Sequence, residues 1–227
     1  NGTIQPRLAI GAVTDPAGNA SGSQVDSTNS VSYTQATFTV TLNQASGQSD
    51  PAKALPILYT VVFSSAVGAS SFTDADIQNQ GSGTTVTQWQ LETSDNVTWT
   101  LKAMAVTGNG TILPVVTANS VQDAFGNLNG ASTSTDRTVT YDTTAPTLSF
   151  VALTPANPST SLTPTILGAG SEASTVTLYY DASCTTPKSV GTANTQFASP
   201  GILVTGNVNS NASTIIYGQA IDTAGNL

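Results

Sequence analysis

The chain contains the same stretch twice. Residues 1–33, NGTIQPRLAIGAVTDPAGNASGSQVDSTNSVSY, align without a gap on residues 109–141, NGTILPVVTANSVQDAFGNLNGASTSTDRTVTY. Asn1 falls on Asn109 and Tyr33 on Tyr141, a displacement of 108 residues, the length of one small β-sandwich domain. The matches sit on structural punctuation: Asn-Gly-Thr-Ile at the start, Asp-x-x-Gly-Asn in the middle, Val-x-Tyr at the end. A third Asp-x-x-Gly-Asn runs from Asp222 to Asn226. This spacing predicts the last two strands of one repeat over 1–33, a complete unit over 34–142, and a second unit lacking its last strand over 143–227. Both ends of the chain then read as cut points in a longer array. A unit of this length can bury its own core.

Period-two alternation dominates and no helical period competes with it, so the expected class is all-β. In the complete unit the predicted strands are 37–43, 57–64, 86–92, 97–104, 111–118 and 133–142. Ile57, Tyr59, Val61 and Phe63 should share the core-facing side of one strand. In the second unit the predicted strands are 148–153, 163–167, 175–180, 195–197, 202–208 and 214–221. Val176, Leu178 and Tyr180 should point inward there, with Thr175, Thr177 and Tyr179 outside. Thr144-Ala145-Pro146-Thr147 reads as a short extended linker between the units. Unpaired strand edges at either end would invite pairing with another chain.

Composition narrows the function classes. Only 8% of the residues are charged, the net charge is −8, and five Lys+Arg in 227 residues leave no electrostatic footprint for nucleic acid or anionic membranes. No apolar run is long enough to cross a membrane as a helix. With no histidine there is neither a Ser-His-Asp nor a Cys-His pair, nor a histidine-bearing zinc site. Asp74 and Asp76 sit together in a turn, where a solvated loop explains them better than a glycosidase pair. The expectation is therefore not an enzyme. Thr, Ser, Asn and Gly fill the polar positions, as suits a secreted sheet protein. Cys184 is the one cysteine, either a tolerated thiol or one whose partner lies outside this sequence.

The residues also resemble a known family. Thr39-Val40-Thr41-Leu42-Asn43-Gln44-Ala45-Ser46-Gly47-Gln48-Ser49-Asp50-Pro51, followed by Pro56-Ile57-Leu58-Tyr59-Thr60-Val61-Val62-Phe63-Ser64, looks like the tandem bacterial Ig-like repeats of giant surface adhesins. Val121-Gln122-Asp123-Ala124-Phe125-Gly126-Asn127 and Val139-Thr140-Tyr141-Asp142-Thr143-Thr144-Ala145-Pro146 are similar to the end of that repeat and its linker. The resemblance covers essentially the whole chain. It implies tandem immunoglobulin-like β-sandwiches in an elongated array at the bacterial cell surface. It further implies a stalk that spaces a binding tip from the cell, with calcium stiffening some junctions. Neighbouring repeats or other copies of the chain would be its partners, with a surface glycan or protein as the adhesive target. A fibre subunit joined by strand complementation and a carbohydrate-binding module are the competing classes.

In the sandwich geometry so implied, the F–G turn, the B–C turn and the incoming linker gather at one end of a unit. Asp222, Glu172 and Asp142 should converge there, with Asp50 and Asn226 as further oxygen donors, as a calcium ion requires. The other reading of Asp-x-x-Gly-Asn is purely structural: Asp closes an Asx-turn and Gly takes positive φ. Thr34 stands where the later linker has Asp142, so the first junction lacks that carboxylate. Trp89 and Trp99 are either sugar platforms or core packing, and their sheet pattern favours packing. Lys53 and Lys102 are weak candidates for a Lys–Asn crosslink. Asn19, Asn96, Asn109 and Asn211 lie in Asn-x-Ser/Thr sequences.

Overall fold

The structure is a computed structural model of the chain, and it describes residues 2–7, 9–22, 30–33, 38–68, 70–156, 159–192, 197–206 and 208–227. It is essentially all-β: the described residues hold sixteen strands, one 3₁₀ turn at Asp74–Asp76 and no α-helix. Every strand ladder is antiparallel.

The N-terminal copy of the repeated stretch is a hairpin-like pair, β1 (Gly2–Ile4) with β2 (Val31–Tyr33). Next comes a four-stranded sheet built from β3 (Val40–Gln44), β4 (Ile57–Phe63), β6 (Thr85–Thr93) and β7 (Thr98–Thr107), in the order β3-β4-β7-β6. Facing it are two short pairs, β5 (Ile77–Asn79) with β9 (Pro114–Val116), and β8 (Gly110–Ile112) with β10 (Val139–Tyr141). Strand β4 shows the expected alternation, with Ile57, Tyr59 and Val61 at 0% exposure and Phe63 at 1%. These four anchor a core that also takes Leu42 and Leu101 from the same sheet and Ile112, Val121 and Val139 from the facing segment. Trp89 and Trp99 pack against this core edge-on, to Tyr59 and Phe72 respectively.

A second, smaller core gathers Ile166, Val176, Leu178, Phe197, Ile202, Val204 and Ala220. It lies between two three-stranded sheets. One runs β11 (Leu148–Thr154), β12 (Thr165–Gly170), β15 (Ile202–Leu203); the other runs β14 (Pro187–Thr192), β13 (Ser174–Tyr179), β16 (Tyr217–Asp222).

Several sequence expectations change. The predicted strand 111–118 splits at Leu113, whose N–H donates to the Asn79 Oδ1 at 2.8 Å, so that β8 and β9 pair with different partners. The predicted strand 133–142 contracts to β10, because its first half instead lies parallel along β3 through the isolated bridge Thr41–Thr133 and the bond from Gln44 N–H to Asp136 C=O at 2.8 Å. The predicted strand 202–208 contracts to β15, and residue 207 lies outside the described residues. Strands β5 and β14 were not anticipated. Tyr179 is buried at 7% rather than exposed: a register shift opposite β14 turns it in, and its hydroxyl donates to the Gln219 Oε1. Tyr180 is half-buried against the second core and donates to the Gly206 carbonyl. Residues 195–196 of one predicted strand, and the linker residue Thr34, lie outside the described residues.

Candidate metal centre

The three Asp-x-x-Gly-Asn segments fold into one local structure. In each, the Asn N–H donates to Asp Oδ1 and the Asn Nδ2 donates to Asp Oδ2, at 2.8–2.9 Å. The backbone closes the same ring: Asp N–H to Asn C=O, and Gly N–H to Asp C=O. The glycines sit at φ +86°, +81° and +87°, a region costly for a side chain, which explains their place in the motif. The motif is therefore a self-satisfied turn wherever it occurs.

The surroundings differ. Asp15 is exposed, and hydrogen bonds led by that from the Asn19 side chain hold its carboxyl below the usual range. Asp123 is buried at 6%, is held down in the same way by Asn127, and accepts from the Ser65 hydroxyl at 3.4 Å. Asp222, at 8% exposure, meets two further carboxylates. Its burial raises the carboxyl, but the bonds from Asn226, Gly225 and Ala224 outweigh that and leave it low.

Asp142 arrives from the end of β10. Its N–H donates to the Ala52 carbonyl at 2.9 Å, and its Oδ1 accepts from the Thr144 N–H at 2.9 Å. Glu172 comes from the β12–β13 turn, which is pinned to the linker by Ser171 N–H to Thr147 C=O and Thr147 N–H to Ser171 Oγ. Asp222 ends β16, opposite Ser174 of β13. One oxygen from each of Asp142, Glu172 and Asp222 lies within 4.8 Å of the other two. Burial, then the charges of Asp142 and Asp222, push the Glu172 carboxyl above its ordinary range. Among the described residues none of the three carboxylates is paired with a lysine or arginine. Such a group can hold a metal ion, and its all-oxygen character suits a hard cation such as Ca²⁺ or Mg²⁺.

The other two expected ligands do different work. Asp50 is not in the cluster: its Oδ1 accepts from the Thr140 N–H at 2.9 Å and so ties the first loop to β10. Asn226 is adjacent but serves as a latch, its Nδ2 donating both to the Asp222 Oδ2 and to the Asp142 carbonyl, each at 2.9 Å. Its amide nitrogen thus fastens the linker to the turn.

Two residues that sequence reasoning valued for other reasons help build the site. Asn109 clamps the linker: its Oδ1 accepts from Thr143 N–H and Thr143 Oγ1 at 3.1 and 3.0 Å, and its Nδ2 donates to Thr144 Oγ1. Lys53 donates from Nζ to the Gly225 carbonyl, crossing from the β3–β4 loop to the third Asp-x-x-Gly-Asn turn. Lys102 pairs with Glu92 at 2.7 Å, and Asp76 caps its own turn by accepting from Thr73 N–H and Oγ1. Signals for the clamp were present, since Asn109 begins the repeated Asn-Gly-Thr-Ile. Among the described residues no helix is long and apolar enough to cross a membrane. Comparison of the chain with protein-family models, with curated proteins and with solved structures gives no match.

Proposed function

We propose that this chain is a structural segment of a large bacterial surface or secreted fibrous protein, made of tandem Ig-like sandwiches in an elongated array. Its work is to space and stiffen, not to catalyse. The observation that supports this best is the internal repeat at the level of hydrogen bonds. Strand pairing Gly2–Tyr33, Thr3–Ser32, Ile4–Val31 recurs as Gly110–Tyr141, Thr111–Thr140, Ile112–Val139. The isolated bridge Thr14–Ala20 recurs as Gln122–Leu128. A chain that builds the same unit at a fixed period gains length and modular stability.

Calcium is the cation this reading assigns to Asp142, Glu172 and Asp222, where it would stiffen the junction by drawing the linker, the β12–β13 turn and the β16 turn together. Small-angle scattering with and without calcium tests both parts. An extended particle whose maximum dimension and rigidity rise with calcium supports the proposal. A compact particle, or a Tm unmoved by calcium and by chelator, refutes it. Saturating calcium at about 100 times Kd should stabilise the junction by about 2.7 kcal/mol.

Assembly by strand complementation is the second reading, favoured by large apolar side chains exposed in two stretches of the chain, Ile4 and Val31 in the first copy of the repeat and Phe150, Val151 and Leu153 in β11. Mass measurement separates the two: a monomer across the micromolar range removes assembly.

A further inference from the structure

Where both copies of the repeated stretch are described, they share their backbone hydrogen bonds but differ in burial. Beyond the shared register, Gly11 N–H donates to Ser21 C=O as Asn119 N–H does to Asn129 C=O. Ser21 N–H donates to Val13 C=O as Asn129 N–H does to Val121 C=O. Even the side-chain bond is kept, with Val13 N–H to Ser21 Oγ at 3.4 Å in the place of Val121 N–H to Asn129 Oδ1 at 2.9 Å. Yet Ile4, Val13 and Val31 are 67%, 56% and 69% exposed, while Ile112, Val121 and Val139 are all at 0%.

What covers the second copy is known. Ile112, Val121 and Val139 belong to the core anchored by β4 and β7, and the Tyr59 hydroxyl donates to the Ile112 carbonyl at 3.2 Å. The segment after the turn docks along β3, through Gly130 N–H to Phe38 C=O and Thr133 N–H to Val40 C=O, each at 2.9 Å. The sheet that would fit the first copy is thus already occupied by residues 110–141 of the same chain.

We propose that the apolar face carrying Ile4, Val13 and Val31 is a docking surface for the inner face of a further sheet of the β3-β4-β7-β6 kind, supplied by another repeat unit. This rests on the tandem-repeat reading and names the partner surface within it. Three aliphatic side chains identical to three that are fully buried 108 residues on are a fit already seen in this molecule. Arg7 stands at the position of Val115, 8% exposed, so the partner must leave its guanidinium a path to solvent.

The test adds a copy of residues 38–108 ahead of Asn1 in the full chain, reproducing at Gly108–Asn1 the natural junction Gly108–Asn109. With Cys184→Ser, Val31→Cys gives a single thiol; Val139→Cys in the unextended chain is the buried reference. The expected result is rapid labelling of Cys at 31 in the unextended chain and protection by about 100-fold or more in the extended one, close to the reference. Equal labelling in both chains overturns the proposal, whether the added tryptophans report a folded sheet or an unfolded one. Labelling in the unextended chain that slows with concentration as its mass doubles also overturns it, in favour of self-association. A folded extended chain with Cys at 31 still exposed would defeat the docking while leaving the scattering and calcium tests of the stalk reading untouched. As a second readout free of the cysteine, Ile4→Ala should lower the extended chain's unfolding midpoint and leave the unextended chain's unchanged.

Discussion

Ile112→Ala and Ile4→Ala make the same chemical change at the same position of the same local structure, in opposite environments. Ile112 is fully buried in the first core and Ile4 is 67% exposed. Removing three carbons from a buried site forfeits about 2.4 kcal/mol of transfer free energy at roughly 0.8 kcal/mol per CH₂. The unfilled cavity raises this to about 3–4 kcal/mol, within the range for buried Ile→Ala changes. At an exposed site the same truncation stays within about 0.5 kcal/mol. The chain's two tryptophans, Trp89 and Trp99, both pack on the first core, so fluorescence follows that unit selectively. With an m-value of about 2 kcal/mol per M in urea, Ile112→Ala should lower the midpoint by about 1.5–2 M and Ile4→Ala by less than about 0.3 M. Comparable shifts for the two variants would refute the reasoning, because they would place Ile4 in a packed interior.

The junction yields three further expectations. Asn226→Ala removes the Nδ2 donor shared by Asp222 and the Asp142 carbonyl, and should cost the second unit about 1.5–3 kcal/mol, read as faster amide exchange at Gly225 and Asn226; unchanged exchange would contradict the latch. Without divalent cation, the raised Glu172 carboxyl means that the folded state takes up its proton before the unfolded state does. Stability should therefore rise as pH falls from neutral through the Glu172 pKa, and fall only at lower pH as Asp222, held low, is protonated through its own. Glu172→Gln should abolish the first rise in thermal melts across pH, and a melt profile still rising in that variant would refute the assignment. Asn109→Ala releases the linker that carries Asp142 and should weaken calcium binding about tenfold by titration calorimetry, as loss of an outer orienting group typically does; an unaltered affinity would show that the clamp is irrelevant to the site.

Where the sequence carried its own geometry, the fold was legible. The alternation in β4 placed Ile57, Tyr59, Val61 and Phe63 correctly because a strand buried on one face has a strict period of two. The convergence of Asp142, Glu172 and Asp222 was legible because each sits at a strand end or in a turn between strands. The errors have a common cause, which is that long-range partners decide them. Asp50 is claimed by an amide 90 residues away, and Tyr179 turns inward through a register shift against a strand whose Pro-Lys-Ser-Val-Gly-Thr sequence does not read as one. Asn226 was recognised as a site residue, but its latch was not legible, since only the positions of the Asp142 carbonyl and the Asp222 carboxylate decide where its Nδ2 donates.

One motif in three environments separates what the turn does from what the junction does. Because Asp222 already satisfies both oxygens through Asn226, the turn does not depend on a cation for closure, and its relatives at exposed Asp15 and buried Asp123, neither of them in the carboxylate cluster, close identically. Each carboxylate oxygen retains a further lone pair, so a cation can join without breaking the ring. The groups left with unrelieved mutual repulsion are Glu172 and its facing carboxylates. Chelation should then leave amide exchange at residues 222–226 essentially unchanged and accelerate it at residues 143–147, where the linker is held between Asn109 and Ser171. If chelator instead melts the 222–226 turn and spares the linker, the cation is a folding element of the turn itself. The argument that separates turn closure from junction stiffening then fails.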